Sequence, residues 1–359
     1  MMGAMDATSS GRHRRPRAGT AEGTDPDDLL RALLGGAPAY TRREVSAKAR
    51  VSVHSSRKLW QALGFPMVSS DAPTFTEADL QALRSVARMV REGVLDEPTA
   101  LAMTRALARS MDRLAIWQAQ LMAEALAPQP GGADAAVSWA MPDPQTARDA
   151  ARVILQMADD VEPLLVYVWR RHLTDALLRM IADSGASPDH DGVVRCVGFA
   201  DLVSFTNLVR TLSERELARV VQRFEGLASE IVTQHGGRVI KTVGDEAMFV
   251  AQDPRDGASI ALDLVAAIAE EKLLPDVRVG LAYGKVIGRL GDVFGVTVNR
   301  ASRLTGIAAP GTVVSDEALA GELRPKDGFV LRKRRRRRLR GVGDVVPWVV
   351  SRPPAALTR

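Results

Sequence analysis

The sequence VVRCVGFADLVSFT, residues 193–206, places an aspartate near the end of an apolar segment. The first ten residues are mostly apolar, which is typical of a buried strand. Asp201 lies at the end of this strand, where a carboxylate is costly unless it has a partner. The following residues lead from strand to helix, so that their backbone N–H groups, with Ser204 and Thr206, are suited to phosphate oxygens. A simple connecting turn is the alternative.

The chain after this segment alternates between strand and helix patterns. Ser213 and Glu216 form a capping box that predicts the start of a helix, which Gly236 and Gly237 end. Two strand patterns then flank Gly244-Asp245, a pair that favours a hairpin turn. The remaining predicted elements are a helix over 257–271, a strand pair around 277–288, a helix from 297 to 306 and a final hairpin. This order predicts an α+β fold with antiparallel strands.

Two further groups of polar residues carry candidate chemistry. Asp245 lies at the predicted hairpin tip, and two carboxylates that converge can hold a divalent metal; Gly-Asp also favours turns by itself. If residues from 297 onward are helical, Asn299 and Arg303 are four apart and share one helix face. An amide beside a guanidinium suits an anionic transition state, whereas an ordinary solvent-exposed helix face is the alternative.

The combination of FADLVSFT, IKTVGDE and DVFGVTVNRASRL, in this order, resembles the catalytic domain of class III nucleotidyl cyclases, specifically adenylate cyclases. The resemblance covers about residues 193–351. It implies a ferredoxin-like βαββαβ core with an additional hairpin, in a catalytic domain over 185–359. Six positions have the residue type that the family uses. The implied roles are metal binding for Asp201 and Asp245, adenine recognition for Lys241 and Asp292, ribose orientation for Asn299 and transition-state stabilisation for Arg303.

The same resemblance implies the substrate, the cofactors and the assembly. ATP would be the substrate, and two Mg²⁺ or Mn²⁺ ions would be the cofactors, with the backbone carbonyl of Leu202 as a further metal ligand. Phe205, Thr206 and Arg340 are the additional candidates for substrate binding. Because the family builds each site from two catalytic domains and this chain has all six positions, the resemblance implies a homodimer with two equivalent sites.

The first half of the chain is predicted to be helical and regulatory. Apolar residues recur at three- and four-residue steps from about residue 27, after a leader over 1–26 that has the composition of a disordered segment. Prolines and glycines predict a linker over 128–144, and a long helix follows over 145–181. The region 27–184 resembles the helical regulatory domain of soluble actinobacterial class III cyclases. The resemblance implies that the long helix couples this domain to the catalytic one.

Residues 40–66 are similar to the helix-turn-helix opening of MerR-type regulators. Thr41 and Glu44 predict a capping box, Val51 to Val53 the turn, and Arg57 and Lys58 the outward side of the second helix. A small helical packing unit is the favoured interpretation, and DNA binding is the alternative. A competing hypothesis for the whole chain is a DNA-binding regulator whose second half senses nucleotide without turnover.

Composition excludes several other classes of protein. The 359 residues are 46% hydrophobic and 25% charged, which are ordinary globular values. The longest apolar run near the middle, residues 163–169, is far below the roughly 20 residues that cross a bilayer, and no signal peptide pattern opens the chain. We therefore expect no membrane span and a cytoplasmic protein. Cys196 is the single cysteine, which excludes an internal disulfide and a cysteine-based zinc site.

The positive net charge is concentrated in one short run. Residues 332–340, RKRRRRRLR, hold eight basic side chains; without them the formal charge of +5 would become −3. The family places a basic residue near the triphosphate at the end of this segment, and Arg340 is the candidate. For the other seven we rank a solvated strand face first, an acidic patch on the regulatory domain second and an anionic surface third.

Overall fold

The computed structural model describes residues 26–65, 72–127, 141–186, 192–289, 291–323 and 328–353. The predicted leader and most of the predicted linker lie outside these ranges. The chain divides into two compact units, one of Met1–Gln129 with Met141–Arg171 and one of Pro130–Ala140 with His172–Arg359. None of the described helices combines the length and the apolar character that a bilayer crossing requires.

The first unit is helical. Its elements are α1 (Pro26–Leu34), α2 (Arg42–Ala49), α3 (Val53–Ala62), α4 (Glu77–Arg91), α5 (Glu97–Leu126) and the first part of α6 (Pro144–Ala186). The predicted capping box at Thr41 and Glu44 is present, and Arg50 ends α2 in the left-handed conformation. Leu59 and Trp60 are buried in a small core.

Lys58 is on the outward side of α3, with its side chain 43% exposed. Its Nζ lies 3.0 Å from Oε1 of Glu97 at the start of α5. Helix α3 packs against α5, so that this face of α3 is partly covered. Arg57 is exposed as predicted.

The second unit contains α6 from His172 onward and a mixed sheet. Its elements in chain order are β1 (Val193–Leu202), α7 (Phe205–Thr211), α8 (Glu214–Gln234), β2 (Arg238–Val243), β3 (Glu246–Ala251), α9 (Pro254–Glu270), β4 (Val277–Arg289), β5 (Asp292–Phe294), α10 (Val296–Ile307), β6 (Val313–Ser315), α11 (Glu317–Glu322), β7 (Val330–Lys333), β8 (Arg337–Leu339), β9 (Gly343–Val345) and β10 (Trp348–Ser351). The sheet order is β2-β3-β1-β4-β6-β10-β7, and β5 pairs with β4. Its first four strands with α8 and α9 form the predicted βαββαβ core.

The segment that was expected to be a strand pair around 277–288 is instead one long strand. Strand β4 pairs with β1 in continuous register from Val193 opposite Val286 to Leu202 opposite Val277. This long partner holds β4 extended through its glycines. The hairpin partner of β4 is β5, which begins only at Asp292.

Helices cover both faces of the sheet and thereby position the candidate site residues. Helices α8 and α9 form the larger core with β1, β3 and β4. Ala301 of α10 belongs to a second core, which is formed by a different set of side chains from the same three strands. Helix α10 approaches β4 closely at Gly280, where an added Cβ would lie 2.2 Å from the backbone nitrogen of Thr305. Only glycine permits this approach, which fixes α10 against the sheet.

Candidate active site

Two acidic residues lie where β1 ends beside the β2–β3 turn. Asp201 is opposite Glu246 in the β1–β3 ladder, and the backbone N–H of Leu202 donates to the carbonyl oxygen of Asp245 at 3.0 Å. Burial raises the pKa of Asp245, and the neighbouring charge of Asp201 raises it further. The predicted hairpin turn therefore brings the two predicted metal aspartates to the same strand end.

Arg278, which the sequence analysis missed, contacts this acidic group. Its Nε and Nη2 lie 2.7 and 2.6 Å from Oδ2 of Asp201, whose side chain is only 16% exposed. Arg278 is the second residue of β4, directly opposite Asp201 in the β1–β4 ladder. A charged residue inside the apolar pattern VRVGLAYG was the available signal, because such a residue needs a partner of opposite charge.

The third acidic residue of this group is Glu246. Burial raises its pKa, and the charges of Asp201 and Asp245 add to the increase. Nevertheless, the described residues contain no set of three or more histidine, cysteine, aspartate or glutamate side chains arranged to hold a metal ion.

The turn after β1 places three further candidates at the start of α7. Ser204 adopts the left-handed conformation at φ 62°, and the chain then enters the seven-residue helix. Phe205 is half-buried, and its side chain packs against the main core. Thr206 is exposed.

Lys241 and Asp292 form an ion pair between two strands that are distant in sequence. The Nζ of Lys241 on β2 lies 2.7 Å from Oδ2 of Asp292, the first residue of β5. This hydrogen bond is the main cause that lowers the pKa of Asp292, and Arg238 adds a smaller Coulombic contribution. Arg238 also donates to the carbonyl oxygen of Gly291 at 3.2 Å and so supports the turn before β5.

Asn299 and Arg303 occupy the exposed face of α10. They lie one turn apart, and neither side chain has a hydrogen bond or an ion pair within the described ranges. Arg300, by contrast, points to the protein interior, where its Nη1 lies 3.0 Å from Oδ2 of the buried Asp316. The Arg300–Asp316 pair orients α10 and leaves Asn299 and Arg303 open to solvent.

Arg340 lies in the turn that connects β8 and β9, and its side chain is exposed. In the described part of the chain, no hydrogen bond or ion pair joins it to the aspartates or to Asn299 and Arg303. The hydrogen bonds and ion pairs of the described residues thus leave six of the predicted residues in three groups, with Phe205, Thr206 and Arg340 outside them. One is acidic, one is the Lys241–Asp292 pair, and one is the face of α10.

A family model and curated relatives both match this chain. The family model for the adenylate and guanylate cyclase catalytic domain matches residues 187–352. An adenylate cyclase of Glutamicibacter nicotianae is 41% identical over 336 residues, which is 90% of this chain and 81% of that protein. An adenylate cyclase of Streptomyces coelicolor is 36% identical over 89% of this chain and 88% of that protein.

Among solved structures, the guanylate cyclase domain of a Catenaria anguillulae protein in complex with GTP is 23% identical, with a TM-score of 0.41 over 45% of this chain and 97% of that chain. The relationship to the Glutamicibacter and Streptomyces proteins extends over both halves of the sequence, including the helical first half. This chain belongs to the class III nucleotidyl cyclase family.

Proposed function

We propose that this protein is an adenylate cyclase that converts ATP to 3′,5′-cyclic AMP and pyrophosphate. The observation that carries the proposal is the pairing of Lys241 with Asp292 at 2.7 Å, because a cation and a carboxylate side by side match adenine. A lysine donates hydrogen bonds and suits adenine N1, whereas a carboxylate accepts from the exocyclic amine. Guanine presents the opposite pattern at these atoms. The curated relatives named adenylate cyclase support this choice of base.

The acidic group fits divalent metal ions of the Mg²⁺ or Mn²⁺ type. Mg²⁺ is usually held by one or two carboxylates together with substrate phosphates and water, rather than by an all-protein cage. Asp201 and Asp245 supply two hard oxygen ligands at one strand end, and the carbonyl of Leu202 is the proposed third. Two bound ions would lower the pKa of the ribose 3′ hydroxyl and neutralise charge on the triphosphate.

In the proposed reaction the 3′ oxygen bonds to the α-phosphorus, pyrophosphate leaves, and the hydroxyl loses its proton. Asn299 would hold the ribose in position for this attack, and Arg303 would meet the negative charge that develops in the transition state. Because neither side chain is engaged elsewhere in the described structure, both can turn toward a nucleotide without losing a contact. Phe205 and Thr206, at the start of α7, and the exposed Arg340 would contact the phosphates.

Arg278 has a further proposed role beside the metal aspartates. Its guanidinium compensates the charge of Asp201 within β1 and β4. When metal ions take over that compensation, the guanidinium can turn to the phosphate oxygens of the substrate, for which its geometry is suited. Arg278 thus extends the set of proposed substrate-binding residues.

We propose that the active enzyme is a homodimer. The acidic group, the Lys241–Asp292 pair and the face of α10 are not joined by hydrogen bonds or ion pairs in the described structure. This separation is expected if one subunit supplies the aspartates and the other supplies the residues that read the base and stabilise the transition state. Each dimer would then contain two equivalent sites.

The test of the proposed function is direct. Purified protein with ATP and Mn²⁺ should form cyclic AMP and pyrophosphate in equal amounts, and removal of the metal with a chelator should stop the reaction. Protein that binds ATP at the same site without forming either product would support the competing hypothesis of a nucleotide sensor. A cytoplasmic location stays a prediction from the sequence.

Base selection provides a sharper prediction. The double variant Lys241→Glu with Asp292→Cys should lower kcat/KM for ATP and raise it for GTP, because it replaces the adenine pattern with the acidic and thiol side chains typical of guanylate cyclases. Each base contact contributes about 1–3 kcal/mol of discrimination, so the ATP-to-GTP preference should change by about a hundredfold. Steady-state kinetics with both nucleotides measure this ratio.

The control for base selection is Lys272→Glu, which changes an exposed lysine of the same unit. Its nucleotide preference should match that of the wild type. An unchanged preference in the double variant, with the fold intact by circular dichroism, would refute the adenine-reading roles of Lys241 and Asp292.

We also propose that α6 transmits regulation from the helical half. Near the end of this helix Asp183 forms an ion pair with Arg195 of β1, and Nη2 of Arg195 lies 2.6 and 2.5 Å from the two carboxylate oxygens. Both side chains are less than a quarter exposed. The pair ties the end of α6 to the strand that carries Asp201, which provides a short physical route between helix and site.

Loss of this pair should be measurable at the helix and in the activity. Arg195→Gln should speed amide hydrogen exchange in residues 180–184 about tenfold, since a charge-assisted hydrogen bond of this kind contributes about 1.5–3 kcal/mol. Turnover at saturating ATP should change at least twofold. Arg352→Gln, which removes a pair with Asp263 at 2.6 Å, is the matched control. Faster exchange with unchanged turnover would refute the coupling role.

A further inference from the structure

Seven consecutive basic side chains run along the surface of the second unit. We call residues 332–338 the basic ribbon; it excludes Arg340, which has a proposed role at the substrate. All seven side chains are exposed. Both ends of the ribbon are strands, since Arg332 and Lys333 pair with β10 and Arg337 and Arg338 pair with β9. Between them, the N–H of Arg334 donates to the carbonyl oxygen of Pro347 at 2.9 Å. The ribbon is therefore an ordered, preformed array of charge.

The charge of the basic ribbon is almost uncompensated within the described structure. Asp344 of β9 is the one carboxylate that pairs with it there, at 3.8 Å from Nη1 of Arg336. Lys333 lies over the ring of Trp348 at 5.6 Å from its centroid. Like charges at neighbouring positions repel one another, and a fixed array of them creates a strong local positive potential. Such a surface attracts polyanions.

The composition of the ribbon identifies phosphate as the preferred anion. Six of its seven residues are arginine, whose planar guanidinium binds phosphate through two parallel hydrogen bonds. At about 3.3 Å per extended residue the ribbon reaches roughly 20 Å at most. Side chains of an extended segment alternate between two faces, so about three of the seven can face the phosphates of one duplex.

The surroundings of the ribbon distinguish between the possible polyanions. No large hydrophobic side chain of residues 328–353, which surround the ribbon in sequence, is exposed, and a basic patch without an apolar anchor holds a membrane only weakly. Trp348, the aromatic residue beside Lys333, is buried and offers no platform on which the bases of a single strand could stack. A duplex needs neither feature, because its bases are already stacked and its phosphates are outside.

We propose that the basic ribbon binds the phosphate backbone of double-stranded nucleic acid, independently of base sequence. The ribbon contacts phosphates alone, so its affinity depends on released counterions and falls steeply with salt. None of the seven ribbon residues belongs to the set proposed to bind ATP. The ribbon also lies in the second unit, outside the helix-turn-helix-like residues 40–66 of the first.

The test is binding of the full chain to fluorescein-labelled 24-base-pair duplexes of unrelated sequence, DNA and RNA, followed by anisotropy over a salt series. We expect the duplexes of unrelated sequence to bind with similar affinity, and log Kobs to fall with log salt with a slope of about −3. The triple variant Arg334→Gln, Arg335→Gln, Arg337→Gln should bring that slope closer to zero by about one to two and weaken binding at least tenfold. The corresponding triple lysine variant keeps the charge and should keep the slope.

The matched control is Arg43→Gln, Arg50→Gln, Arg57→Gln, which removes the same number of exposed charges from the helix-turn-helix. It should bind duplexes like the wild type. An equal loss of duplex affinity in both glutamine variants, or a loss in the control alone, would overturn the proposal. It would also be overturned if the wild-type protein did not bind duplexes, or if it bound vesicles of anionic phosphatidylglycerol more tightly at the same salt concentration. Thermal unfolding of each variant excludes misfolding as the cause.

Discussion

Cyclic AMP formation should fall by at least about a thousandfold when either Asp201 or Asp245 is replaced by alanine. The two carboxylates lie at one strand end and are the proposed protein ligands of the metal ions. Metal ions that activate the hydroxyl and neutralise developing charge lower the activation free energy by several kcal/mol. Each 1.4 kcal/mol corresponds to a factor of ten in rate. Initial rates with Mg²⁺ and with Mn²⁺ measure the loss.

The two variants should differ in stability although they share the loss of activity. Asp201→Ala leaves the guanidinium of Arg278 without its carboxylate partner, so the free energy of unfolding should fall by about 1–3 kcal/mol. Burial raises the pKa of Asp245, which shows that its ionised form is held at a cost. Asp245→Ala should therefore be nearly neutral for stability or slightly stabilising.

Asp263→Ala is the control for both variants, because it removes an arginine-paired carboxylate of the same unit that has no proposed role in catalysis. Its turnover should stay within a few-fold of the wild type. Wild-type rates in both Asp201→Ala and Asp245→Ala would refute the metal assignment. Loss of activity in all three variants would instead indicate a general sensitivity of the fold to lost ion pairs.

The predictable part of the fold comes from local patterns. The capping box at Ser213 and Glu216 starts α8 in the structure, and Gly244-Asp245 forms the turn between β2 and β3. In both cases the interacting groups lie within four residues of one another, so a short stretch of sequence is enough to predict the structure. The separation of the βαββαβ core from the helical half follows in the same way from hydrophobic periods of two and of 3.6 residues.

Contacts between distant residues were harder to predict. Arg278 and Asp201 are 77 residues apart, and nothing local indicates that β1 and β4 lie side by side in this register. The continuity of β4 depends on the same pairing with β1. The ion-pair partner of Lys58 is equally distant in sequence, since Glu97 begins a helix 39 residues further along.

Two arginines of α10, three residues apart, show what the structure adds to a resemblance. Arg300 and Arg303 lie in one short helix, and spacing alone marks Arg303 only because the family has an arginine four residues after Asn299. The structure supplies the physical difference: Arg300 pairs with the buried Asp316, whereas Arg303 is exposed. Arg300 therefore positions the helix, and Arg303 is available to a substrate.

Two inactive variants should restore activity to each other when they are mixed. Arg303→Ala removes the proposed stabiliser of the transition state and should lower turnover by about 10²–10³ on its own. In a heterodimer of Asp201→Ala with Arg303→Ala subunits, one site combines both defects and the other combines both intact halves. Random exchange of subunits makes half of the dimers mixed, so about a quarter of wild-type activity should return.

The mixing experiment separates the dimeric site from a site within one subunit. If each chain held a complete site, every site in the mixture would carry one of the two defects, and no recovery would occur at any ratio of the variants. Mixing Asp201→Ala with Asp245→Ala provides the control, because both changes affect the same half-site and a mixed dimer then contains no intact one. Recovery confined to the first pair would assign the aspartates and Arg303 to opposite subunits, as the separation of the acidic group from the exposed face of α10 leads us to expect.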